Sequence, residues 1–495
     1  MAAASVIVTI GAAVGVGLVA ACQFDTSGLD TDGGAAIDAA PGDDGDQDPR
    51  DGGDQARTPL RIGDVRLAFG QVSSSRLHTS RWSRTALAWM PAENTPATAG
   101  SPAWTVNVVT PGPEAEELLA AQVATVTGQT FVALSWNDDG WRQDWSESVT
   151  LSPTSKRAFD LALEASGDAL MVYATDSATP AYRTRTGGVW SAPLALPLND
   201  GPGPSPDTNL GVVEWIELEG REGGDEIALL FSDSNRDLVA MMWNGDSWVT
   251  SSARTLELDL KQNSQSLDVA NRGFDVAISS ASGLVMAAWA RNSADGFHYN
   301  TWTAAAGWLA NPVRVTGVVS GYPHFIDLAS NPVGDFIAGG FFDLGDGTER
   351  AGAATWDGTA WIDRTTLDNQ SRNVDDKAPG DMPGAVAWLG RTGVAVCLYA
   401  DDQEGTLDWA RWEGSRGWSL EPDVAFAGKG FTESIAIASA PDGDRLVIAL
   451  SDSNLRLYAT TYNGTTWQLS NDGLPLTNVI SNGSSVPFSL ATRRQ

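Results

Sequence analysis

Cysteine is nearly missing. Two in 495 residues exclude a disulfide-stapled scaffold and any multi-cysteine zinc site. Histidine is as scarce: His78, His298 and His324 stand far apart, and no His-Glu-x-x-His occurs. Positive charge is short as well. Lys and Arg number 31 against 62 Asp and Glu, a formal net charge of −31. A chain of that balance cannot neutralise a phosphate backbone, so nucleic acid is excluded as a partner. There is no Gly-x-Ser-x-Gly elbow and no phosphate-binding glycine loop. Apolar matter is plentiful by contrast. The hydrophobic fraction is 42% and there are 20 tryptophans, enough for a sizeable core and incompatible with global disorder. Length alone suggests about three average domains, but all-β rings run longer.

Val6 to Ala21 is an uncharged apolar run. At about 1.5 Å per residue it is marginal for a bilayer core of about 30 Å. It ends in Val19-Ala20-Ala21-Cys22, and small residues before a cut site indicate a removable secretory signal. The cysteine at the cut position resembles the bacterial lipobox. That resemblance implies a lipoprotein signal peptide over residues 1–21 and a lipid anchor on Cys22, where several acyl chains give stable attachment. No Lys or Arg precedes the run, a departure from the usual basic start. Gln23 in place of Asp implies, by the same resemblance, the outer membrane, facing the periplasm or the surface.

Residues 22–58 read as a tether. They hold ten Asp, two Arg and almost no large apolar residue after Leu29. Such a segment cannot bury enough surface to offset its ordering entropy, and its like charges extend it. Asp30 to Gly33 and Asp43 to Asp46 lack the terminal Glu of a calcium loop. No metal and no cofactor is expected.

The remainder, residues 59–495, repeats. Trp243-Asn244-Gly245-Asp246-Ser247-Trp248 is echoed by Trp356 to Trp361 and by Tyr462 to Trp467. Looser copies run from Trp136 to Trp141, Arg185 to Trp190, Trp302 to Trp308 and Trp412 to Trp418, with a degenerate one at Trp82 to Trp89. The closing residues Trp141, Trp190, Trp248, Trp308, Trp361, Trp418 and Trp467 recur every ~54 residues. A period of about 40–60 with four strands per unit indicates a β-propeller. Asn-Gly or Asp-Gly, which accept positive φ, should turn the third strand into the fourth, with the flanking tryptophans paired across the hairpin.

Continuous apolar runs mark second strands: Val65 to Gly70, Leu118 to Val126, Ala169 to Ala174, Glu226 to Phe231, Leu284 to Trp289, Phe336 to Phe342, Val394 to Tyr399 and Leu446 to Leu450. That makes eight units. Only seven first strands precede them. The eighth is expected at the far end, where Val486 to Thr492 matches Lys156 to Ala162 in pattern. The expected fold is an all-β, eight-bladed propeller closed by its C-terminal strand in the first blade, which removes exposed sheet edges.

The chain resembles secreted bacterial propellers with Trp-Asn-Gly-x-x-Trp hairpins behind lipoboxes. Its hairpin is also similar to the Asp-box of the sialidase superfamily and to the blade ends of fucose-binding and tectonin-like lectins. Leu60-Arg61-Ile62-Gly63 lacks the aromatic residue and proline of the sialidase arginine motif, and no Asp-box is complete. Cys397 lies inside an apolar run and reads as an inert core thiol. No catalytic residue is assigned, and an enzyme is not expected.

The favoured function is non-catalytic binding or scaffolding at the cell envelope, by a monomer whose partner is an envelope protein or a glycan. A multivalent lectin is the alternative, its seven closing tryptophans either stacking on sugars or pinning blades together. A glycosidase using two carboxylates comes third. Loops after the second strands carry Asp176, Asp233, Asp295, Asp343, Asp346, Asp401, Asp402 and Asp452. They share a face with the exits of the fourth strands, among them residues 251–272 and 364–382. The expected ligand meets this acidic face, with charge reversal of Asp233, Asp402 and Asp452 weakening binding without unfolding the ring.

Overall fold

Eight antiparallel sheets, each built on a path of four strands, follow one another in the computed structural model. It describes residues 60, 64–71, 74–97, 104–109, 117–125, 128–137, 140–150, 156–198, 210–260, 272–292, 294–343, 350–369, 382–400, 402–440, 445–480 and 487–492. The signal segment, Cys22, the tether, Asp346 and Asp401 lie outside them.

Blade 3 shows the plan: Phe159–Leu163, Ala169–Tyr173, Ala181–Thr186 and Val189–Trp190 pair in that order. The second strands are the continuous apolar runs. In blades 1, 3, 4, 5, 6 and 8 every residue of that strand is buried, as sheets covered on both faces require. The core lies between sheets. One cluster joins Phe131, Phe159, Tyr173 and Phe231 of blades 2 to 4, and another joins Leu230 to Trp289 across blades 4 and 5.

The innermost strands of blades 1 to 8 are Phe488–Thr492, Trp104–Val109, Phe159–Leu163, Val213–Gly220, Phe274–Ile278, Phe325–Ser330, Gly384–Trp388 and Thr432–Ser439. Each touches the next, and the last returns to the first. The ring is therefore closed by the C-terminal strand, which pairs antiparallel with Val65–Gly70 from Val65↔Thr492 to Phe69↔Phe488.

Two details differ from expectation. First, the hairpin Asn or Asp does not take positive φ; only the glycine does, at +99° for Gly245, +97° for Gly358 and +88° for Gly464. The side chains of Asn244, Asp357 and Asn463 instead each accept two backbone N–H groups of their own turn. Second, the blades alternate. In blades 1, 3, 5 and 7 the outer strand breaks, and a second short piece pairs further along: Glu93–Asn94, Leu194–Ala195, Val313–Val315 and Val424–Ala425. In blades 2, 4 and 6 it continues through a bulge, as Gly140–Val149, Trp248–Glu257 and Trp361–Asp368. An extra residue in the bulge lets the strand stay in the sheet. Parts of the expected loops at 251–272 and 364–382 are therefore strand.

Candidate functional site

Three of the loop aspartates, Asp233, Asp343 and Asp452, are interior. Asp233 and Asp452 are fully buried. Asp233 accepts the N–H groups of Asn235 and Asp237 on one oxygen and of Gly211 at 2.6 Å on the other. Asp452 accepts from Asn454, Arg456 and Gly430 and pairs with the Arg456 guanidinium at 2.7 Å. Both carboxylates thus tie the second-to-third turn to the chain entering the blade. Asp343 is buried against His324 Nδ1 at 3.1 Å. Asp176, Asp295 and Asp402 are exposed, and Asp176 accepts the N–H and hydroxyl of Thr150. The triple charge reversal would accordingly break the fold, because two of its three targets are interior hydrogen-bond acceptors.

The tryptophans look backwards around the ring. All eight opening residues stand opposite their closing tryptophan, Trp243↔Trp248 and Tyr462↔Trp467 among them. The closing indole then reaches the preceding blade. Nε1 of Trp141 donates to Thr79, Trp190 to Asp144, Trp308 to the Ser252 carbonyl and Trp89 to Ser470, at 2.8–3.0 Å. Trp248 meets Tyr182 of blade 3 edge-on at 5.7 Å, and Trp467 meets Trp409 of blade 7 at 5.2 Å. Trp141, Trp248, Trp361 and Trp418 are buried; Trp190, Trp308 and Trp467 are half-buried. Buried rings offer no free face to a sugar.

The channel at the ring axis carries charges that lie outside the candidate residues of the sequence analysis. At one ladder position of the inner strands, blades 3 to 6 carry Asp160, Glu217, Asp275 and Asp327. The equivalent positions of blades 7, 8, 1 and 2 carry Ala385, Ala436, Ser489 and Asn107. One half of the wall is charged and the other neutral, around a cavity of about 360 Å³. Arg157 bridges Asp160 and Glu217 at 2.8 Å each. Arg272 reaches Glu217 and Asp327 at 2.9 Å and Asp275 at 3.6 Å, and lies 4.6 Å above the Phe325 ring. Backbone N–H groups of the next blade complete the set: Leu218 donates to Asp160, Leu328 to Asp275 and Val386 to Asp327. Burial pushes Asp160 up to about 6 against the pull of Arg157, and raises Asp275 and Asp327. Burial acts on Glu217 too, but two guanidiniums outweigh it and hold its carboxyl below the ordinary value. The signal was present as a doubled pattern: Arg157-Ala-Phe-Asp160 with Arg272-Gly-Phe-Asp275, and Ile216-Glu-Leu218 with Ile326-Asp-Leu328.

A recess of about 630 Å³ opens where blade 8 meets blade 1. Its walls combine Phe69, Trp82, Trp89, Met90 and Leu469 with Ser80, Thr461, Gln468, Asn471 and Asp472. Trp89 is half-buried and fixed by its bond to Ser470. Gln468, Asn471 and Asp472 are exposed. Asn471 and Asp472 sit at φ +50° and +54°, a region that Asn and Asp enter more readily than other L-residues. The recess exists because the outer strand of blade 8 stops after three residues, Trp467–Leu469, and gives way to a 3₁₀ turn, Ser470–Gly473.

Among the described residues no group of three or more His, Cys, Asp and Glu is placed to hold a metal. Cys397 is buried, and burial pushes its thiol far up.

No protein-family model matches the chain, and no curated protein does. Solved propellers resemble it loosely. The lectin BP39L from Burkholderia pseudomallei is 9% identical over 76% of this chain and 98% of its own, with a TM-score of 0.48. The Aleuria aurantia lectin, solved with Fucα1-6GlcNAc, is 15% identical over 65% and 97%, at 0.34. A PL25 ulvan lyase, bound to a -[GlcA(1-4)Rha3S]- unit, is 12% identical over 71% and 90%, at 0.41. These likenesses are too loose to bear on function.

Proposed function

We propose that the protein is a non-catalytic carbohydrate-binding propeller and that the recess between blades 8 and 1 receives the sugar. The single observation behind this reading is the composition of that recess. A pyranose ring has an apolar C–H face and a rim of hydroxyls. Trp89, Met90 and Leu469 suit the first; Gln468, Asn471 and Asp472 suit the second. A pocket with an apolar floor and a few placed polar groups is the usual form of a small-molecule site. Four closing tryptophans are buried, which argues against a site per blade, and of the half-buried ones only Trp89 lines this recess. The acidic face loses support as a docking surface, because Asp233 and Asp452 are interior.

The Val-Ala-Ala-Cys sequence at residues 19–22 supports a lipid-anchored ring on an acidic tether, displayed at the outer membrane. A glycan array probed with residues 59–495 tests the function, followed by calorimetry on Trp89→Ala and Gln468→Ala. The reading expects at least one glycan class to bind and both variants to lose tenfold or more in affinity. An empty array, or variants that bind unchanged, would contradict it.

A further inference from the structure

The channel holds more acid than base. Arg272 serves three carboxylates and Arg157 two, with Glu217 shared between them. Three buried carboxylates and the half-buried Asp327 therefore divide two guanidiniums. Like charges crowded in a low-dielectric space do not all stay ionised; they bind protons as a coupled group. The opposite wall brings no counter-charge: Met382, Ala385, Ala436 and Ser489 are neutral, and Asn107 contributes only an amide N–H donated to Asp160. Further along the blade 4 strand, Glu219 adds acid rather than base.

We infer that the channel is a proton-uptake clasp, which takes up protons between neutral and mildly acidic pH and tightens blades 3 to 7 as it does so. Each partly protonated carboxyl keeps its bond to the next blade's backbone while shedding repulsion from its neighbours. The direction follows from linkage. Asp160, Asp275 and Asp327 have folded values above their unfolded ones, because burial penalises the charged form. Their stabilisation is complete below the unfolded carboxylate range and is lost as pH rises through the folded values, near 6 for Asp160. Glu217 acts oppositely: its contribution is present above the unfolded value and fades at lower pH. Stability should therefore peak in mild acid.

The test compares Tm from pH 7.5 to 5 for the wild type and for Asp160→Asn/Asp275→Asn, whose amide oxygens can still accept from Leu218 and Leu328. Potentiometric titration of both proteins counts the protons taken up. The wild type should gain about 2 °C or more on acidification. The double variant should lose most of that gain, take up fewer protons, and be at least as stable at pH 7.5. Glu217→Gln serves as the contrast and should be destabilised at pH 7.5. A double variant with the full acid gain and unchanged proton uptake would overturn the inference. So would one that is destabilised or unfolded at pH 7.5, because the charged carboxylates would then be structural ion pairs.

Discussion

Asp357 shows how one side chain can suit two readings. An Asp before Gly in a hairpin signals positive φ. In the ring it accepts the N–H groups of Thr359 and Ala360 instead, together with the Thr359 hydroxyl. The residue type was informative and the mechanism was not, because Asn and Asp suit a turn both by entering positive φ and by accepting from the backbone two residues on. The same applies to Asp452: its loop position was legible, its burial was not. Asp452→Ala would leave the N–H groups of Gly430, Asn454 and Arg456 without their acceptor. Loss of buried acceptors costs about 1–3 kcal/mol per orphaned group, so chemical denaturation should show at least a 3 kcal/mol loss. A variant within 1 kcal/mol of wild type would mean that the turn finds other partners. Cys22→Ala belongs to this scale too. It should abolish incorporation of radiolabelled fatty acid, and persistent labelling would refute the anchor.

Strands were the most legible elements. Val65 to Gly70 and Ala169 to Ala174 could be placed because a strand covered on both faces needs an unbroken apolar run. The tryptophan hairpins were legible because their spacing is regular and cross-strand pairing follows from antiparallel geometry. The alternation of blades is only faintly marked in the sequence: the strict Trp-Asn/Asp-Gly-x-x-Trp form occurs only in blades 4 and 6, with a Tyr-opened copy in blade 8. Pieces as short as Glu93–Asn94 and Leu194–Ala195 have no periodicity to read. The hairpin also yields a prediction. Trp248 is buried between Trp243 and Tyr182 of the neighbouring blade. Trp248→Ala should cost about 3–5 kcal/mol and Trp248→Phe clearly less. Equal losses would assign the effect to something other than ring packing.

At the scale of the ring, closure was legible from the mismatch between eight second strands and seven first strands. The C-terminal match filled the gap, and Phe488–Thr492 does so in the fold. The channel charges and the recess were harder. Both are made by residues of different blades, and only the folded ring brings Arg157 to Glu217 or Trp89 to Ser470. Truncation after Asn482 removes the innermost strand of blade 1 and opens the ring on both sides. It should forfeit most of a stability of about 5–15 kcal/mol; a truncated chain melting at the wild-type temperature would refute closure as a structural necessity. The proposed function turns on a different number, the count of sugar sites per chain. Calorimetry of residues 59–495 with a glycan identified on the array measures it directly. One site per chain, lost in Trp89→Ala, is the result predicted for a recess formed only where blade 8 meets blade 1. A stoichiometry near one per blade, unaffected by Trp89→Ala, would contradict it.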